Sequence, residues 1–271
     1  MDVMELGRQH GGVVRWRELR EAGVAVAAIS TMVEAGQLIA AGHGVYSLPG
    51  ADPALVTLRL AGGRLTCVSR ARALGLWVLA GPAQPHIGVL RAAAMPGCVV
   101  HRVTRNQSMI ELLRQCCRCL PELDALVIVE SAVVQRHVSW DELHPAVDGA
   151  RSSRERRILQ LVNPASASIL ETVGRYRLTK AGFHVHCQVV VPGAGRYDFL
   201  VNGVLYVELD GAEFHSDRQS YRNDRRRWNL LTVRGLPLLT VPYEMVMYEP
   251  EVFVRLVGDA LGRHRRPARS H

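Results

Sequence analysis

The sequence predicts a multi-domain α/β protein: a winged helix-turn-helix, an α/β linking region, and a C-terminal α/β core on a mixed sheet. Three observations lead there. Near the amino terminus, two short apolar-periodic segments separated by Gly23 run into a glycine-tipped hairpin. The middle of the chain alternates short β-rich runs with helical periodicity. From Ser168 onward the order becomes helix, three strands, helix, strand. No apolar run reaches the ~20 residues needed to span a bilayer. MDVMELGRQHGG lacks the basic-then-apolar layout of a signal peptide, so a cytoplasmic protein with no membrane partner is expected.

Residues 1–50 form the expected winged module, with its pattern carried by 12–48. Trp16–Ala22 reads as a short helix, Gly23 as the turn, and Val26–Gly36 as a second helix with Ile29, Met32 and Val33 at core spacing. Leu38–Ala41 and Val45–Leu48 make the hairpin, with Gly42, His43 and Gly44 at its tip. Such a module reads duplex DNA through its second helix. That helix, however, carries no Arg or Lys and one Glu, so an interaction or scaffolding module fits the same pattern.

Residues 51–149 mix the strands Pro85–Leu90 and Val99–Val103 with helices at Ser108–Arg118, Glu122–Gln135 and Trp140–Val147, and contain no catalytic motif. The six cysteines show no paired CxxC spacing. Cys116, Cys117 and Cys119 are expected to be free buried thiols, and zinc is not expected, either there or at His184, His186 and Cys187. Residues 150–160 form an arginine-rich helical connector, expected to present a solvated face.

Charge divides unevenly about residue 150. Residues 1–150 hold 14 basic and 13 acidic side chains, and residues 151–271 hold 19 and 12. An excess concentrated in the second part predicts a polyanionic partner there, with duplex DNA the expected one, because phosphate neutralisation releases counterions. The composition is compatible with a homo-oligomer.

The chemistry lies in residues 150–271. The helix SILETVGRYRLTKAG, expected to be amphipathic, is followed by the strands HVHCQVVV, RYDFLV and VLYVELD, a basic helix over Asp217–Gly235, the strand LPLLTV, and a last helix near Glu251–Leu261. On the strand after Asn202 and Gly203, alternation places Tyr206, Glu208 and Asp210 on one face and Leu205, Val207 and Leu209 on the other. Asp198 can join the carboxylates. Grouped carboxylates raise one another's pKa unless a cation neutralises them, and hard oxygen ligands suit Mg²⁺ or Mn²⁺. Ser168 and Glu171 also have capping-box spacing. Arg218, Arg222 and Arg225, flanked by Arg226 and Arg227, form a basic helix placed to track phosphates. The tail GRHRRPARSH is expected to add nonspecific affinity.

Asn202 and Gly203 invite a two-residue hairpin, but that register would bury Asp198 among Leu205, Val207 and Leu209. A three-residue loop, Asn202 to Val204, pairs Val201 with Leu205 and sets Asp198 opposite Glu208. The longer loop is therefore expected, with the two carboxylates ~4–6 Å apart.

Two resemblances add to this reading. GGVVRWRELREAG, GHGVYSLPG, ALGLW, PHIGV, GCVVHR and DALVIVESAV make residues 11–149 similar to abortive-infection type IV antitoxins, which implies a winged-helix amino terminus that acts on DNA. No cognate toxin follows from it. SILET, VPGAGRYDFL, VELDG, the following histidine, RNDRRRWNLL and GLPLLTVPYEMV make residues 166–261 resemble PD-(D/E)XK nucleases similar to very-short-patch repair endonucleases. This implies a restriction-endonuclease-like α/β/α core hydrolysing DNA phosphodiesters. Asp198, Glu208 and Asp210 would hold metal, His215 would accept a proton, and Glu171 would complete the site. The motif lysine is replaced by Asp210, leaving Lys180, an arginine or His215 to supply the positive charge. The alternative is a regulator of the antitoxin kind whose nuclease-like domain is inactive.

Overall fold

A computed structural model describes residues 2–90, 95–148, 153–210 and 218–264. Their contacts divide the chain into two compact units, 1–160 and 161–271.

The first unit opens with a helix the sequence pattern did not reveal, α1 (Val3–Gln9), capped by the Asp2 carboxylate. It is followed by β1 (Val13–Arg15), α2 (Trp16–Glu21), α3 (Val26–Glu34), β2 (Ile39–Gly42) and β3 (Val45–Ser47), in a sheet ordered β1-β3-β2. Val3 and Leu6 of α1 pack with Val14, Leu19, Val24, Ile29, Leu38 and Leu48 in one core, so α1 joins the residues 12–48 that carry the pattern, within the expected bounds of 1–50. The wing tip turns as expected, with Gly42, His43 and Gly44 all at positive φ.

The unit continues through α4 (Pro53–Leu60), β4 (Arg64–Leu65), α5 (Cys67–Ala73), β5 (His86–Val89), β6 (Val99–Arg102), α6 (Met109–Cys119), α7 (Glu122–Val134), α8 (Trp140–Asp148) and α9 (Ser153–Gln160). Strands β4, β5 and β6 form a small sheet in that order, with β5 and β6 parallel. The Glu18 carboxylate ties the winged module to the rest of the unit. It pairs with the fully buried Arg59 of α4 and accepts from the Arg15 amide at 2.8 Å. Burial would raise the Glu18 carboxyl, but the Arg59 guanidinium helps hold it below the ordinary range.

Helix α9 corrects two expectations. It presents the expected solvated face at Arg156 and Arg157, but its other face packs into the first unit rather than serving as a connector. Glu155 is buried between Arg114 (3.4 Å) and Arg118 (2.6 Å), Arg157 pairs with Glu122 at 2.8 Å, and Arg154 donates to the Leu120 carbonyl. The helix therefore belongs to the first unit, and the charge boundary moves with it. Residues 1–160 hold 18 basic and 14 acidic side chains and residues 161–271 hold 15 and 11, so each unit carries +4. The asymmetry about residue 150 does not follow a structural boundary.

The second unit comprises α10 (Ile169–Lys180), β7 (Val185–Val191), β8 (Gly195–Val201), β9 (Leu205–Asp210), α11 (Arg218–Val233), β10 (Leu238–Pro242), α12 (Tyr243–Tyr248) and α13 (Pro250–His264). Its mixed sheet runs β10-β9-β8-β7, with β10 parallel to β9 and the other pairs antiparallel. Helix α10 is buried over Leu170–Arg175 rather than along one stripe, which departs from the amphipathic expectation. Gly174 lets it approach the sheet closely. A Cβ there would lie 3.1 Å from the Phe199 ring and 3.2 Å from Leu209.

The β8–β9 register is the three-residue-loop one: Val201 pairs with Leu205 and Phe199 with Val207. Asn202 (φ 51°) and Gly203 (φ 70°) both adopt the left-handed conformations of a type I′ turn, closed by the Val204 amide donating to the Val201 carbonyl at 3.0 Å. Val204 is then the extra residue outside the ladder. The Asn-Gly pair thus determines the turn type, while the apolar alternation determines the register. Tyr197, Phe199, Val201, Leu205, Val207 and Leu209 form the buried face.

Candidate functional site

The opposite face of β8 and β9 carries Asp198 and Glu208 across from each other, with Asp210 exposed at the end of β9. Asp198 is half-buried. Its Oδ2 accepts from the Leu209 amide at 2.8 Å, and its Oδ1 lies 3.5 Å from Gln188 Nε2. The same amide group donates to Glu171 Oε2 at 2.6 Å, which joins the helix carboxylate to the strand carboxylate. Glu171 also has a capping role. It accepts from the Ala167 amide at 3.0 Å and from the Ser168 hydroxyl at 3.1 Å, while its own amide donates to that hydroxyl at 3.2 Å. Cap and carboxylate cluster therefore use one residue.

Gln188 was not anticipated as a site residue. It stands opposite Asp198 on β7 at φ 55°, a left-handed conformation in the middle of a strand, and its buried side-chain Oε1 has no hydrogen-bond partner among the described residues. A non-glycine residue held there costs on the order of 1 kcal/mol and persists only where its surroundings fix it. The only sequence signal was a polar residue inside the run HVHCQVVV. Burial raises the carboxyls of both Glu171 and Asp198 above the ordinary range, and the neighbouring Asp198 charge adds to the effect on Glu171.

Other expected residues are placed differently. Glu208 accepts from the Trp228 indole at 3.4 Å and pairs with Arg227 Nη2 at 3.4 Å. Arg227 does not project outward to track phosphates. Its Nε donates to the Ala194 carbonyl at 2.8 Å, its Nη2 donates to the Arg196 carbonyl at 2.7 Å, and its guanidinium lies 4.9 Å from the Tyr197 ring centre. Arg225 and Arg226 are exposed, with Arg225 over the Trp228 ring. Lys180 sits nine residues beyond Glu171 on α10, ~13 Å along the axis, and lies over Tyr176, so it does not replace the motif lysine. His215 and the side chains of Arg218 and Arg222 fall outside the described residues, as does the tail from residue 265.

The carboxylates do not converge as a metal cage. Among the described residues, no three of Glu171, Asp198, Glu208 and Asp210 bring oxygens within 4.8 Å of one another. The His/Cys/Asp/Glu group that does converge lies in the first unit: Cys67, His86, His101 and Cys119. It corrects the expectation for Cys119, which is exposed rather than a buried core thiol.

In the winged module, α3 exposes Val26, Ala27, Ala28, Ser30, Thr31 and Glu34. Arg17 and Arg20 of α2 are also exposed. Residues 1–49 match the family model described as a transcriptional regulator, AbiEi antitoxin. The match covers the winged helix and stops there. None of the curated proteins compared matches the chain. Among the described residues, no helix is long and apolar enough to cross a membrane.

Proposed function

We propose that this protein is a DNA-binding regulator of the antitoxin kind, whose C-terminal unit has a nuclease-like fold with a partly dismantled site. The observation that carries this reading is the coincidence, in residues 1–49, of the regulator family match with a winged helix whose second helix is open to solvent. Ser30 and Thr31 offer hydroxyls to base edges, and Val26 and Ala27 offer apolar contact to thymine methyl groups. Phosphate contacts fall to the flanking Arg17, on leaving its exposed pair with Glu21, and to Arg20 beyond its bond to the Val24 carbonyl, so few ion pairs form and the salt dependence is shallow. Selection of duplexes from a random pool by the full-length protein, followed by binding measurements across a salt series, tests this. One enriched sequence is expected, with binding lost in Thr31→Glu. A pool without enrichment, or a Thr31→Glu chain that binds equally well, would overturn it.

A second reading, a metal-dependent endonuclease acting with Mg²⁺ or Mn²⁺, is favoured by the register that faces Asp198 with Glu208 and by the Glu171–Gln188–Asp198 chain. It requires Glu208 to leave Arg227. Incubating supercoiled plasmid with Mn²⁺ and comparing wild type with Asp198→Ala separates the two readings: the regulator reading expects identical plasmid in both, and nicking by wild type alone supports the nuclease.

A further inference from the structure

We propose that Cys67, His86, His101 and Cys119 form a structural zinc site in the first unit. The four come from four elements: the first residue of α5, the first of β5, the third of β6 and the last of α6. On the parallel pair, His101 stands opposite Gly88, two residues along β5 from His86, so both imidazoles occupy one face. His86 Nδ1 lies 3.1 Å from His101 Nε2, and Cys119 Sγ lies 3.7 Å and 3.8 Å from those same nitrogens. The Cys67 sulfur completes a set whose ligand atoms all lie within 4.8 Å of one another. Tetrahedral zinc, with bonds of ~2.0–2.1 Å to nitrogen and ~2.3 Å to sulfur, requires ligand separations of about 3.3–3.8 Å. The two imidazole nitrogens and the Cys119 sulfur meet that requirement with little adjustment, and the Cys67 sulfur is within reach of it.

The surroundings fix the ligands in place. The Thr66 amide donates to the His86 carbonyl at 3.0 Å, and the His86 amide donates to the Ser69 hydroxyl at 2.9 Å, which lock the start of α5 to β5. A buried chain of Thr66, Gln107 and Gln115 then ties this corner to α6 one turn before Cys119. Cys67 holds φ 49° at the head of its helix, another non-glycine residue in the left-handed region. Cys67 is fully buried, so its sulfur faces its partners in the cluster away from solvent. Two thiolates and two imidazoles are a zinc ligand set, and four protein ligands leave no open position for catalysis. The ion would staple a small sheet whose first strand has two residues to both neighbouring helices.

The test uses the full chain, purified without chelators and analysed by elemental mass spectrometry. About one zinc per chain is expected, and cobalt substitution should give the visible bands and sulfur-to-metal charge transfer of a tetrahedral thiolate site. Cys119→Ser and His101→Ala should each lower zinc retention by at least about tenfold, whereas Cys98→Ser should leave it unchanged. If either loss variant fails to fold, Cys119→His, which keeps a nitrogen ligand, should retain metal with weaker charge transfer. A wild-type chain holding less than about a tenth of an equivalent even after zinc is supplied would show a metal-free hydrogen-bonded cluster and overturn the proposal. Equal retention in Cys98→Ser and Cys119→Ser would overturn it as well.

Discussion

The carboxylate face of the C-terminal sheet and the cysteine–histidine cluster of the first unit both gather groups that can ligate a metal, in opposite ways. On the sheet, neighbouring strands place Asp198 and Glu208 side by side, but each acid is engaged by other side chains. Gln188 bridges Asp198 to Glu171, and Arg227 with Trp228 engages Glu208. In the first unit, two helix ends and two strands close on one point, and the four ligand atoms come within 4.8 Å of one another. Strand register alone produces a face. A closed site needs elements arriving from several directions, and charge that something nearby neutralises.

The strongest challenge to this contrast is metal removal. Unfolding the full chain in denaturant with a chelator and refolding it without metal should open the β5–β6 pair. Amide exchange at Ile87 and Val100 should quicken by orders of magnitude, while Phe199 and Val207 keep their protection. Equal acceleration in both sheets would erase the distinction.

Acid should also act on the two units in opposite senses. Burial depresses the His10 imidazole to about 4, against 6.5 for an unperturbed histidine. The unfolded chain therefore takes up that proton first, and stability is lost as pH falls from about 6.5 to 4, by up to about 3 kcal/mol. Glu171 and Asp198 are raised, so the folded chain takes up their protons first and the second unit gains stability as pH falls through their folded values. Urea midpoints of wild type and His10→Gln across this range measure the first effect. Parallel curves would refute it.

Two substitutions sharpen the comparison within the sheet. Gly174→Val should destabilise the second unit by about 1–3 kcal/mol, because the added carbons meet Phe199 and Leu209, and it should leave zinc content unchanged. Asp198→Asn should have the smallest effect, a gain of less than about 1 kcal/mol near neutral pH in the absence of divalent cations, from relief of the charge facing Glu171. A loss of thermal stability in that variant would mean that the Leu209 hydrogen bond outweighs the repulsion.

These regions also differ in how far the sequence disclosed them. Alternation over Tyr197–Val201 and Leu205–Leu209 was enough to select a three-residue loop over the two-residue turn that Asn202 and Gly203 favour, because only one register buries a continuous apolar face. The zinc ligands carried no comparable signal. Separations of 19, 15 and 18 residues between Cys67, His86, His101 and Cys119 match no short motif, and their meeting depends on how α5 and α6 pack on β5 and β6. Charge counting failed for a related reason. Arg154 donates to the Leu120 carbonyl and the exposed Arg157 pairs with Glu122, both within their own unit, and a tally of charges does not register such engagements.

Gln188 has a further consequence, for solubility. Strand β7 borders its sheet, and a straight seven-residue border strand with exposed Val190 could offer backbone amides and carbonyls to another chain. The left-handed residue at its centre interrupts the extended backbone of that row. The conformation that brings an amide between Glu171 and Asp198 also makes β7 a poor template for edge-to-edge aggregation.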